Sequence, residues 1–199
     1  MKPTVRKQVS GLSDAISGRQ DTAMTPTLWT IGHSTRPIDE FLELLKTHRI
    51  QQLVDVRTVP RSRHNPQFDT TTLAKSVRKT GLTYRHMPAL GGLRKAKKDS
   101  INTGWRNISF RGYADYMQTY EFKNAMEELQ AVASKQTTAY MCSEAVWWSC
   151  HRALVSDYLK IRGWTVMHIM GVRKEQEHPY TKAASIVNGK LQYGGAELF

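Results

Sequence analysis

Residues 137–170 read TTAYMCSEAVWWSCHRALVSDYLKIRGWTVMHIM. The run TTAYMCS is short, apolar and followed by polar residues, the pattern of a buried strand. CHRALVSDYLKIRG then carries apolar side chains at helical spacing and stops at Gly163, a residue suited to the left-handed turn that ends helices. TVMHIM is a second apolar run. Strand, helix and strand in that order make a unit whose two strands lie parallel in one sheet.

The same alternation extends upstream. LWTIGHS, from Leu28 to Ser34, and QLVDVR, from Gln52 to Arg57, read as strands. Between them, Pro37 opens IDEFLELLKTHRI, where Ile38, Phe41, Leu42 and Leu45 recur along one helical face. TTTLAKSVRKTG reads as a helix ended by Gly81, and LTYRHM as a strand. Residues 88–111 form a long loop rich in Gly, Lys and Arg, and helical pattern resumes over GYADYMQTYEFKNAMEELQAVASK as two short helices. Near the end, IVNGKLQY has the Asn188-Gly189 pair of a tight hairpin. The expected fold is therefore α/β: three layers, a mostly parallel, Rossmann-like sheet with helices on both faces, and a small C-terminal hairpin. Residues 27–199 form this single domain, and residues 1–26, polar and without periodicity, are expected to be a flexible basic tail.

Composition narrows the function. Lys and Arg number 29 against 17 Asp and Glu, a net charge of +12. Such a field attracts polyanions, nucleic acid first among them. No apolar run approaches the roughly 18–20 residues a spanning helix needs, so no membrane partner is expected. The N-terminal residues lack the apolar core of a secretory signal. Two cysteines, Cys142 and Cys150, make no disulfide framework and suit a reducing cytoplasm. They also lack a CxxC pair, so no metal and no other cofactor is expected.

In an open parallel sheet, ligands bind beyond the carboxyl ends of the strands. Three strands deliver polar groups there: His33 and Ser34, Asp55 and Arg57, and Glu144 with the Cys150-His151-Arg152 cluster. Asp55 sits between two valines and needs a partner, which Arg57 can be. Glu144 suits a general base or charge stabiliser, and equally a helix-start carboxylate. Cys150, placed where a helix begins beside basic groups, has the setting of a reactive thiol, and equally that of a small core residue. Arg57, Arg61 and Arg63 offer forked donors for phosphate, with Ser34 and Arg152, and with Arg94, Lys95 and Arg106 as a second basic flank. Tyr84, Trp105, Trp147 and Trp148 are candidate surfaces for stacking a base, with at least one of the adjacent tryptophans exposed.

In this order, TIGHS, LVDVRTVPRSR, YRHMPALGG, FRGYADYM, MCSEAVWWSCHR and VMHI resemble the bacterial and archaeal family called domain of unknown function 488. The resemblance runs from about Leu28 to Tyr193. It implies functional roles at His33, Ser34, Asp55, Arg57, Arg63, Tyr113, Glu144, Cys150, His151 and Arg152, and shape-setting roles at Pro60, Gly91 and Gly92. It implies no agreed activity.

The expectation from charge and site together is a nucleic-acid-binding protein. Its first form is a DNA repair enzyme acting on modified bases, a glycosylase-like hydrolase with Glu144 or Asp55, His33, Cys150 and His151 as catalytic candidates. The alternatives are a non-catalytic DNA- or RNA-binding module and a thiol enzyme taking a small anion through Cys150.

Overall fold

A computed structural model describes residues 25–194. Five parallel strands build the centre: β1 (Thr27–Gly32), β2 (Gln52–Asp55), β3 (Thr83–His86), β4 (Thr138–Cys142) and β5 (Thr165–Gly171). A sixth, β6 (Lys174–Glu177), pairs antiparallel with β5, and the sheet order is β3-β2-β4-β1-β5-β6. A separate hairpin of β7 (Ser185–Val187) and β8 (Lys190–Gln192) follows. Its turn places Asn188 and Gly189 at positive φ, 51° and 71°, the conformation that pair favours. The three-layer α/β architecture with a C-terminal hairpin is thus present. The expected tail at 1–26 lies outside the described residues except for its last two.

Alternation along each strand divides the core. Ala139 and Met141 of β4 pack on one face with Ile31, Leu53 and the buried side of α1 (Ile38–Thr47) and α2 (Thr70–Lys79), through Phe41, Leu45, Leu73 and Val77. Tyr140 and Cys142 face the other way. There they meet α3 (Ile108–Tyr116), α4 (Tyr120–Ala133) and α5 (Arg152–Ile161), through Tyr113, Phe122, Met126, Leu154 and Leu159. Two helices on one face and three on the other leave β1, β2 and β4 buried on both sides, which is why they read as apolar runs rather than alternating ones.

Local chemistry sets the helix ends. Thr119 accepts the Phe122 N–H at the start of α4, and Asn107 accepts those of Ser109 and Phe110 at the start of α3. The second cap starts α3 at Ile108, four residues before the point expected from periodicity. β6 was not expected at all. Its sequence, KEQE, is wholly exposed and carries three charged residues, the composition that protects a sheet edge from further pairing.

Candidate functional site

β1, β2 and β4 end side by side, and the chain leaving each bends over the sheet edge. The main chain closes this junction tightly: His33 and Ser34 donate their N–H groups to the carbonyls of Cys142 and Ser143, at 3.0 and 2.8 Å. Ser34 sits at φ 51° to make the turn. Gly32 is required here, because a Cβ would stand 1.7 Å from the Glu144 carbonyl oxygen. Above the junction opens a cleft of about 630 Å³, a size typical of small-ligand sites. His33, Ser34, Arg57, Arg61, Cys142, Glu144, Cys150 and His151 all line it.

Asp55 and Arg57 form the first buried unit. Arg57 Nη2 and Nε donate to the two Asp55 carboxylate oxygens at 2.6 and 2.9 Å, and Nη2 also reaches the Phe68 carbonyl at 2.7 Å. The Tyr84 hydroxyl donates to Asp55 at 2.9 Å. With its carboxylate fully buried among these donors, Asp55 positions Arg57 and is absent from the cleft lining. Arg57 Nη1 is directed at His33 Nε2, 3.2 Å away. His33 Nδ1 donates to the Ser34 carbonyl at 2.7 Å, so Nε2 carries the lone pair, and the ring stacks on Phe68 at 4.1 Å. Burial, reinforced by the Arg57 charge, brings the His33 pKa down to about 4 and keeps the ring neutral.

Cys142 at the end of β4, and Cys150 and His151 at the entry to α5, form the second unit. Their sulfurs and a His151 ring nitrogen lie within 4.8 Å of one another. Among the described residues, this trio is the group of side chains in the cleft able to hold a soft metal, where none was expected from the sequence. Arg152 is 1% exposed. Its Nη2 donates to the Glu144 carbonyl at 2.6 Å, Nη1 to Thr30 Oγ1 at 3.1 Å, and Nε to Cys150 Sγ at 3.5 Å. Expected as a phosphate ligand, Arg152 instead holds the cleft floor together. Burial opposes ionisation of Cys150, but the Cys142 thiol hydrogen bond and the Arg152 guanidinium outweigh it and place Cys150 below the ordinary thiol range. The same bond to Cys150, with burial, pushes Cys142 up.

The other sequence candidates are distributed over the molecule. Arg61 reaches the cleft, while Arg63, on the same loop, is exposed outside its lining. Lys95 and Arg106 are exposed on the 92–107 loop. Arg94 is engaged structurally: it donates to the Gly91 and Ala89 carbonyls and lies 3.5 Å over the Tyr116 ring. Tyr84 packs with the α1–α2 core. Trp105 packs on Phe110 and Tyr193. Trp147 is buried against His168, stacked at 4.6 Å. Trp148 is exposed but does not line the cleft. The apolar lining comes instead from Val59, Leu93 and Phe110, to which the sequence assigned no role, although Val59 and Phe110 lie within the motifs LVDVRTVPRSR and FRGYADYM. Their loop and helix-cap positions were the available signal.

Fold and site together define a doubly wound α/β protein with a polar, sulfur-containing cleft at the carboxyl edge of its sheet. A model of the family described as Domain of unknown function DUF488 matches residues 37–159, and the chain belongs to that family. The matched span contains Asp55, Arg57, Glu144 and the Cys150-His151-Arg152 cluster, whereas TIGHS and VMHI fall outside it. Comparison with curated proteins and with solved structures yields no match.

Proposed function

We propose that the protein is a hydrolase acting on nucleic acid, in the first instance a DNA glycosylase-like repair enzyme that releases modified bases in this cleft. The observation that carries this reading is the state of Glu144. Among the described residues that line the cleft it is the one carboxylate, it is exposed, and its main chain is anchored by Arg152. A free carboxylate on a fixed backbone can accept a proton from water as the water oxygen bonds to the sugar carbon. The bonding electrons then leave with the base, and a carboxylate nearby stabilises the cationic sugar centre. Arg57, which also lines the cleft, keeps an Nη1 N–H beyond its contact with neutral His33 as a hydrogen-bond donor. Leu93 and Phe110 offer an apolar wall for an extruded base. Exposed Arg61 lines the cleft, and exposed Arg63, Lys95 and Arg106 on the loops of residues 56–65 and 92–107 add to the positive charge of a surface that favours a phosphate backbone.

The test is a panel of single- and double-stranded oligonucleotides carrying modified bases, read for binding and base release at low and high salt. Base release by the wild type, abolished in Glu144→Gln while salt-dependent binding persists, is the expected result. Binding without release across the panel would reduce the protein to a non-catalytic module. Absence of binding at low salt would remove nucleic acid from the reading.

One observation favours a second reading, thiol chemistry on a small anion: the hold of Arg152 on the Cys150 sulfur. Activity that survives exhaustive chelation but disappears on alkylation of Cys150 would identify it.

A further inference from the structure

His151 Nδ1 lies 3.6 Å from Cys150 Sγ and 3.9 Å from Cys142 Sγ. A tetrahedral zinc ion, with Zn–S of about 2.3 Å and Zn–N of about 2.0–2.1 Å, separates sulfur from nitrogen by roughly 3.5–3.6 Å. Both sulfur–nitrogen pairs therefore already stand close to the separation that one ion imposes, and the three donor atoms all lie within 4.8 Å of one another. We infer that Cys142, Cys150 and His151 are three ligands of a soft divalent cation of the zinc class, with the fourth coordination position facing the cleft.

The donor chemistry supports this assignment. Two sulfurs and an imidazole select zinc-like ions over magnesium or calcium, which take oxygen ligands. Nδ1 is the His151 nitrogen with polar neighbours, and both are sulfurs. Nε2 is buried without a partner among the described residues, so an ion on Nδ1 would fix a ring that hydrogen bonds otherwise leave unanchored. Space beside that nitrogen is kept by Gly92, where a Cβ would stand 2.5 Å from Nδ1. Cys150 has an outer partner in place. Arg152 donates to Cys150 Sγ and braces the Glu144 carbonyl, the kind of contact that orients metal-bound thiolates. Binding releases the remaining thiol protons to solvent, since thiolates are the ligands.

Three protein ligands with an open fourth position is the arrangement of catalytic rather than structural zinc. All three ligands line the same cleft as Glu144. Water on the open position would be acidified toward neutrality, with Glu144 placed as the proton acceptor. The metal assignment stands on the three ligands alone. Its catalytic use rests on the hydrolytic reading above.

The experiment uses the full chain, stripped by chelator, kept reduced, and titrated with Co²⁺ and then Zn²⁺. We expect one equivalent of cobalt per chain, thiolate-to-cobalt absorption in the near ultraviolet, its displacement by zinc, and a Tm that rises with zinc. Cys150→Ser and, separately, His151→Ala should each weaken binding by more than the roughly 10–100-fold that loss of an outer partner costs. Should either variant fail to fold, the wild-type spectrum decides on its own. Cobalt bound without thiolate absorption, or no cobalt bound by the folded and reduced chain, would overturn the assignment. Glu144→Gln should keep the cobalt spectrum whether or not it loses base release, so failure of the metal site and failure of the hydrolytic reading can be told apart.

Discussion

Helix α5 carries two buried clusters of titratable groups. At its entry, Cys150 and His151 meet Cys142 at the cleft. Further along, Asp157 meets a chain of histidines under β5. The Asp157 carboxylate is fully buried and accepts four hydrogen bonds: from His178 Nε2 and the Thr181 N–H on one oxygen, and from the Thr181 and Tyr193 hydroxyls on the other. His178 Nδ1 in turn faces His168 Nε2 at 2.9 Å. Every lone-pair direction of that carboxylate is filled by protein, and the cluster ties residues 178–193 to α5. The cleft cluster is built the other way. Its sulfurs and Nδ1 are electron-pair donors turned toward one another, on residues that line the cleft. Buried polar groups saturated by their own chain hold the fold, whereas groups left short of partners at a cavity are available to a ligand.

The largest expected effect tests the saturated side. Asp157→Ala leaves the Thr181, Tyr193 and His178 donors without their acceptor, a loss of about 3–5 kcal/mol, read as a lowered urea midpoint. A variant within 1 kcal/mol of the wild type, to within about that precision, would break the contrast between the two clusters.

A second effect follows from the buried histidines. His33 has a folded-state pKa of about 4 and His168 of about 2, both lowered chiefly by burial. In the unfolded chain each titrates near 6.5. The neutral ring therefore contributes its full stability above pH of about 6.5, and that stability is lost as the pH falls and the unfolded chain takes up the proton first. For His33 the loss is complete near pH 4 and amounts to about 3 kcal/mol. Denaturant melts between pH 7 and 4 should give a shallower acid decline for His33→Asn, by about one proton's worth of slope. An unchanged slope would show that the cleft does not desolvate His33.

Tyr193→Phe removes one of the four hydrogen bonds to Asp157 and keeps the ring. The expected loss is about 1.5–2 kcal/mol, measured in the same melts, and a neutral result would mean that three donors already satisfy the carboxylate.

What could be read from the sequence divides along the same line. Apolar runs ending in polar residues located β1, β2 and β4 and correctly sent His33, Arg57 and Glu144 to one edge, because strand direction fixes which end of a run meets the ligand side. Neighbour order was not legible. A buried run signals burial on two faces but not which strand lies beside it, and β4 stands between β1 and β2. Arg152 was misread for a related reason. Its position at a helix start was visible, but its donors are taken by Thr30 and by the Glu144 carbonyl, contacts that exist only after β1 and the 143–149 loop come together. The sulfur pair was hidden likewise, since Cys142 and Cys150 meet only because that loop folds back through a 3-10 turn at Trp147–Ser149. Trp147 illustrates the limit for aromatics: adjacent tryptophans predict one exposed ring, and Trp148 is that ring, but nothing local says that Trp147 stacks on a histidine two elements away.

The smallest expected effect on stability belongs to Glu144. Its side chain is exposed, it forms no ion pair among the described residues, and Arg152 holds its carbonyl rather than its carboxylate. Glu144→Gln retains shape and the main-chain contact, so the melts should move by no more than about 0.5 kcal/mol. On the proposed hydrolytic reading, the same substitution removes the proton acceptor from the cleft and should abolish base release. A carboxylate whose loss leaves the fold intact and stops turnover is performing chemistry. If Glu144→Gln instead destabilised the protein as Asp157→Ala does, Glu144 would belong with the saturated groups, and the one carboxylate among the described cleft-lining residues would be lost as a catalytic candidate.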